Sequence, residues 1–168
     1  MSDITKKKAS EEIIWRQANF DTLTSLPNRR MFHEHLRKEM KKTDRSQLPM
    51  ALVFVDLDYF KEINDTLGHD KGDLLLKEVA SRLLSCMRST VARLGGDEFT
   101  VILGELRNAG DVMRIAQDIL KKMSTPFHLG ENIAVTTGRF WRRLRADFPQ
   151  TLRSGLPQDQ SGRRIADL

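Results

Sequence analysis

Arg93-Leu94-Gly95-Gly96-Asp97-Glu98-Phe99 is the stretch on which the reading of this chain turns. Two glycines let the backbone reverse sharply, and two adjacent carboxylates come directly after them. Strand-like residues lie on both sides, at 90–94 and 99–103, so the glycines and acids are expected at the tip of a β-hairpin. Paired acids on a tight turn suit a divalent cation, because Mg²⁺ takes a few oxygen ligands and accompanies phosphates. Taken by itself the turn reads equally well as a solvated hairpin tip whose acids keep an edge soluble.

A second acidic cluster shifts that balance. Met50-Ala51-Leu52-Val53-Phe54-Val55 is an apolar run of strand length, and it ends directly in Asp56-Leu57-Asp58-Tyr59-Phe60-Lys61. A buried strand that delivers carboxylates at its C-terminal end is a recurring way to set ligands at the edge of a sheet. Lys61 comes after the acids as a cation suited to phosphate. Asn64 and Asp73 supply the donors and acceptors that read the edge of a purine. Beyond them Leu75, Leu76, Val79, Leu83 and Leu84 recur at helical spacing. Two acidic strand ends with a lysine and an amide between them point to a metal–nucleotide site.

These residues resemble the GGDEF domain of the diguanylate cyclases. The signature Gly95-Gly96-Asp97-Glu98-Phe99 stands complete. Three further blocks match in order and spacing: Asp21-Thr22-Leu23-Thr24-Ser25-Leu26-Pro27-Asn28-Arg29-Arg30, the segment 56–73, and the helix start at 74–84. The resemblance implies an α/β (α+β) fold, a central, mostly antiparallel sheet flanked by helices, similar to the palm of nucleotide cyclases and polymerases. It also implies a reaction, the joining of two GTP molecules into cyclic di-GMP with release of two pyrophosphates. By the same resemblance Asp56, Asp97 and the Leu57 carbonyl are ligands of Mg²⁺ (or Mn²⁺), and Asp97 and Glu98 are catalytic. Glu98 is expected beside the α-phosphate, assisting the metal or the deprotonation of the 3′-hydroxyl. Phe60 and Lys61 are expected along the triphosphate, and Asn64 and Asp73 on the guanine.

Members of this family often carry a product-inhibition site, Arg-x-x-Asp, just upstream of the signature. This chain has Cys86 and Ser89 there, and neither can clamp a cyclic dinucleotide as arginine and aspartate do, so no feedback through that site is expected. The pattern also breaks off at the C-terminal side. After residue 137 the family expects the rest of a strand, then a helix that brings a lysine and an arginine to the triphosphate, and a closing strand. Instead, residues 138–168 contain seven arginines and no lysine, and Gly155, Pro157 and Gly162 interrupt any periodicity. The expectation is an incomplete C-terminal part: a GGDEF domain at 21–137 followed by an atypical, disordered, arginine-rich tail, read as a frame-shifted or otherwise non-family continuation. A cyclase-like helix in neither alternative reading frame of the coding DNA would refute the frame-shift.

One such domain holds one GTP, so the resemblance implies a homodimer, usually organised by an upstream segment. Residues 1–20 are expected to be that linker. Ser10 suits the N-cap of a helix and Glu11 and Glu12 its positive end. Ile14, Ala18 and Asp21 form a stripe that serves a coiled coil or a single helix packed on its own domain. The segment 3–8, ahead of Glu11, resembles the end of a PAS sensor domain, which implies an upstream sensor as a further partner.

Composition bounds the rest. The net charge of +5 in 168 residues sits mostly in the tail, where seven arginines face three aspartates; the preceding residues are near neutral at +1. Specific nucleic-acid binding is therefore not expected. There is no apolar run of the roughly 20 residues a membrane span needs. The lone Cys86 excludes a disulfide framework and suits a reducing cytoplasm, and its helical neighbours favour a small apolar role. His69 is read as a turn residue. Two function classes stand: a Mg²⁺-dependent diguanylate cyclase acting in signalling, and a catalytically inactive GGDEF-like module for GTP binding, dimerisation or regulation, the latter because the phosphate-binding helix is missing.

Overall fold

The computed structural model describes residues 3–86, 89–136 and 138–145. Eleven elements succeed one another within them. They are α1 (Asp3–Asn19), α2 (Arg29–Ser46), β1 (Met50–Leu57), α3 (Phe60–Leu67), α4 (His69–Cys86), β2 (Thr90–Gly95), β3 (Glu98–Leu103), α5 (Ala109–Ser124), β4 (Phe127–Leu129), β5 (Asn132–Ala134) and β6 (Gly138–Arg145). Four strands form one sheet in the order β2-β3-β1-β6, every neighbouring pair antiparallel. β4 and β5 make a separate small hairpin. The fold is thus the helix-flanked antiparallel sheet expected from the sequence.

The period of two along β1 explains both layers. Ala51, Val53, Val55 and Leu57 join Leu75, Leu76 and Val79 of α4 in the larger core. Met50 and Leu52 point the other way, to Phe32, Leu36 and Met40 of α2. Asp56 continues this second set, so the strand carries it out on the α2 side. α2 begins where Asn28 accepts the Met31 N–H on its side-chain oxygen and ends at Gln47, whose left-handed backbone (φ 56°) turns its N–H onto the Thr43 carbonyl.

Three elements differ from the sequence expectation. α1 starts at Asp3, seven residues before the expected cap, and the Ser10 hydroxyl donates to the Lys6 carbonyl at 3.0 Å. The stretch 3–8 is therefore part of the same helix, as its lysines, good helix formers, allow. His69 opens α4 directly, with the turn made by Gly68 alone (φ 91°). Residues 138–145, the start of the expected irregular tail, form β6 along β1, with Leu57 opposite Gly138 and Met50 opposite Arg145. The cause is non-local: β1 is central and its backbone groups need partners on both edges. The rest of that tail, 146–168, lies outside the described residues.

Candidate active site

The signature forms the hairpin tip. β2 and β3 pair from Thr90 opposite Ile102, the register shifts at Leu94, and Gly95 then faces Glu98. Gly95 and Gly96 hold φ of 145° and 51°, conformations that side chains resist, so two glycines are required here. The extra residue at the shift bends the strand and re-aims the residues beyond it, as bulges do. Asp97 thereby lies in the turn and Glu98 opens β3.

Register then brings the two acidic clusters together. Asp56 is directly opposite Glu98 in the β1–β3 ladder, and its carboxyl lies near enough to that of Asp97 to share a proton with it. Partial burial, with the hydrogen bond and charge of Asp97 and then the charges of Glu98 and Asp58, pushes the Asp56 carboxyl up to about 6. Like charges crowded in this way favour a cation between them. Among the described residues no three His, Cys, Asp or Glu side chains converge as a ready-made metal cage. Two carboxylates and the neighbouring Leu57 carbonyl nevertheless suit Mg²⁺, which keeps several waters and phosphate oxygens of its own. Mn²⁺ accepts the same hard donors.

Glu98 borders this pair and also faces Arg29. Its Oε2 lies 3.9 Å from Arg29 Nη2, with both side chains 61% exposed, across a cavity of about 360 Å³ that Asp56 and Phe54 also line. From β1 the chain passes through Asp58 and Tyr59 into α3. Tyr59 caps that helix in the left-handed region (φ 62°), an uncommon place for a bulky residue. Phe60 and Lys61 are the first two residues of α3. The buried Thr136 hydroxyl, 1% exposed, donates to the Asp58 carbonyl at 2.5 Å and so ties the segment after β5 to this turn.

Asn64 of α3 packs against Gly72 of α4, the residue before Asp73. A Cβ built on Gly72 falls 1.8 Å from Asn64 Oδ1, so the amide rests against α4 beside Asp73 only because residue 72 is glycine. That oxygen is buried against α4 and has no hydrogen-bond partner among the described residues. Cys86 ends α4 half-buried, its thiol donating to the Arg82 carbonyl at 3.2 Å. Ser89 lies just ahead of β2, and the two residues between lie outside the described set.

Sequence reasoning missed the brace that holds the hairpin. Arg93 Nη1 donates to both Asp21 carboxylate oxygens at 2.9 and 3.0 Å, while Nε and Nη2 donate to the Gly96 carbonyl at 2.9 and 2.7 Å. Asp21 also accepts from the Thr24 hydroxyl and N–H, at 2.7 and 2.8 Å. Burial pushes the Asp21 carboxyl up, but Thr24 and Arg93 outweigh it, and the group sits below its ordinary value. The Arg93 N–H adds a bond to the Pro27 carbonyl at 3.0 Å. The signal was present as an arginine two residues before the signature and an aspartate opening the first matching block.

These features define an α+β domain in which an antiparallel ladder and a bulged hairpin set two carboxylates together at one end of the sheet. The family described as "Diguanylate cyclase, GGDEF domain" matches residues 18–140. The chain is 43% identical over 123 residues to the diguanylate cyclase TpbB of Pseudomonas aeruginosa, a match covering 72% of this chain and 28% of that protein. Its fold is similar to the solved GGDEF domain of TpbB, with a TM-score of 0.73 at 40% identity over 79% of this chain and 81% of that one. It is also similar to the coiled coil and GGDEF domain of DgcB from Caulobacter crescentus, solved in complex with c-di-GMP (TM-score 0.77, 25% identity, 86% of this chain and 78% of that one). The chain belongs to the GGDEF domain family of diguanylate cyclases. It spans little more than a quarter of the full length of TpbB. No helix among the described residues is long and apolar enough to cross a membrane.

Proposed function

We propose that this chain is a Mg²⁺-dependent diguanylate cyclase that condenses two GTP molecules into cyclic di-GMP and two pyrophosphates. The observation that carries the proposal is the contact of Asp56 with Asp97, a crowded carboxylate pair at the meeting of two strands. Asp56, Asp97 and the Leu57 carbonyl hold the ion. When bound, Mg²⁺ (or Mn²⁺) neutralises phosphate charge and favours the ionised nucleophile. Asn64, on the side of α3 that faces α4, and Asp73, near the start of α4, bind the guanine edge. Lys61, with Phe60 beside it, faces the triphosphate from the start of α3. Glu98, on the open cavity beside this pair, accepts the proton of the 3′-hydroxyl.

Each domain binds one nucleotide, so two copies must face each other. The 3′-oxygen of one nucleotide forms a bond to the α-phosphorus of the other as the bond to pyrophosphate breaks. The same exchange in the opposite sense closes the ring. Phosphoryl chemistry of this kind asks the protein mainly for position and charge. Dependence on GTP assigns the domain to the cytoplasm, and α1 is the linker from an upstream sensor domain, PAS-like, that controls dimerisation. Cys86 and Ser89 leave the product without the usual feedback clamp.

One observation favours a second reading, a catalytically inactive GTP-binding and dimerisation module: no lysine occurs after residue 138, where the family pattern brings one to the triphosphate. The purified chain incubated with GTP and Mg²⁺ and analysed by mass spectrometry separates the two. Cyclic di-GMP from the wild type, and none from an equally folded Asp97→Ala protein, supports the cyclase. GTP binding without product selects the module. Undiminished product from folded Asp97→Ala refutes the site.

A further inference from the structure

The acidic centre is half-buried at Asp56 and Asp97 and exposed at Glu98. It opens on the α2 side into the cavity of about 360 Å³ between Phe54, Leu94, Asp56, Glu98 and Arg29. Among the described lining residues Arg29 is the one cation. The cavity shares Arg29 and Leu94 with a wider cleft of about 520 Å³, where exposed Arg30 and His33 continue the basic surface. Arg29 and Arg30 thus stand across from the carboxylates, while Arg93 and Asp21 in the same cleft neutralise each other.

Arg29 is weakly engaged. Its two side-chain partners among the described residues are the Leu94 carbonyl at 3.4 Å and Glu98 at 3.9 Å. The ion pair is open to water on both sides, and such pairs contribute little. A planar guanidinium held so loosely can turn from Glu98 to the paired oxygens of a phosphate, for which its fork of donors is suited. The nucleotide of the same domain is already provided for by Lys61, Asn64 and Asp73, which come from α3 and α4. Arg29 comes from α2, on the other face of the sheet, and borders the open side of the centre.

We infer that Arg29 lines a second phosphate subsite, which takes the α-phosphate of the GTP carried by a second copy of this chain. The inference rests on the cyclase reading and assigns it a substrate contact made across the dimer. In the condensation this contact adds a positive charge at the phosphorus under attack, where negative charge accumulates on the non-bridging oxygens. Glu98, released from Arg29 at that moment, is left as the acceptor for the 3′-hydroxyl proton. One side chain thereby couples arrival of the second nucleotide to readiness of the base.

The test compares the full chain with Arg29→Ala and Arg29→Lys. Initial rates with Mg²⁺ and GTP are read beside calorimetric binding of α,β-methylene GTP, which cannot condense, and beside Tm. The expected result for Arg29→Ala is turnover lower by about 10- to 100-fold, as for loss of one charged contact, with analogue affinity and Tm unchanged. Arg29→Lys recovers part of the rate. An Arg29→Ala protein with wild-type turnover overturns the inference and leaves the cyclase reading intact. Analogue affinity and turnover falling together also overturn it, since Arg29 then serves its own domain's nucleotide. A wild type that forms no product refutes the cyclase reading, and this inference falls with it.

Discussion

Replacing Arg93 by alanine removes the brace between the first matching block and the signature. The Arg93 side chain is 12% exposed and that of Asp21 19%, so water replaces little of what is lost. Hydrogen bonds to charged groups contribute about 1.5–3 kcal/mol net. Arg93 makes a bidentate pair and a doubled donation to one carbonyl, but Asp21 keeps Thr24 and the Gly96 carbonyl can turn to solvent. The expected cost is about 3 kcal/mol, a large share of the ~5–15 kcal/mol by which domains are stable, and equals a fall in Tm of about 10 °C. Thermal and urea unfolding of the wild type, Arg93→Ala, Asp21→Asn and the double variant isolates the pair. A coupling energy of about 1.5 kcal/mol or more is expected; one below about 0.5 kcal/mol, the ordinary scatter of independent sites, refutes the brace. The pH dependence gives a second handle. The folded Asp21 value is depressed, so its contribution is complete above the ordinary 3.8 and is lost as the pH falls below it. Arg93→Ala should flatten that acid limb.

The same geometry sets three further outcomes. The Asp56 carboxyl lies at about 6 when folded against 3.8 ordinarily, so the metal-free protein binds the extra proton and loses stability as the pH rises between those values. Mg²⁺ at about 100-fold its Kd should add about 2.7 kcal/mol at pH 7.5 and less at pH 5, read as a shift in Tm; equal shifts at both pH values contradict the carboxylate site. Thr136→Val should cost about 1–2 kcal/mol in urea unfolding, because the Asp58 carbonyl loses a buried donor, and Thr136→Ser should recover it; a neutral valine variant removes the tie. Gly72→Ala drives a Cβ into the Asn64 amide and should weaken GTP binding about fivefold, one hydrogen bond's worth, without loss of helix by circular dichroism; unchanged affinity by calorimetry separates Asn64 from guanine recognition.

Local chemistry made much of the scaffold legible. The apolar run ending at Asp56 is β1 and the double glycine is the hairpin tip, each decided by residues adjacent in the chain. The features that stayed hidden depend on distant partners. Asp21 and Arg93 are 72 residues apart, and no spacing rule joins them. β6 exists because β1 needs a neighbour on its second edge, a demand that the arginine-rich segment itself does not announce. The start of α1 was obscured by Ser10, a residue favoured at caps that here bonds one turn back within the helix. For the candidate site, the residue types were readable, but the contact of Asp56 with Asp97 and the place of Arg29 across the cavity required the register.

α1 is exposed along nearly all its length, and Asn19 at its end is its one buried residue among those described. That end is gripped twice by Asn28, whose N–H reaches the Asn19 carbonyl at 2.9 Å and whose amide reaches the Ala18 carbonyl at 3.0 Å. Two residues on, Asp21 holds the guanidinium that holds Gly96, next to Asp97 in the turn. The helix, about 25 Å long, is therefore a crank handle whose shaft ends against the hairpin. What joins its shaft to the carboxylate pair is a handful of hydrogen bonds at the surface of the domain rather than the apolar packing of the interior.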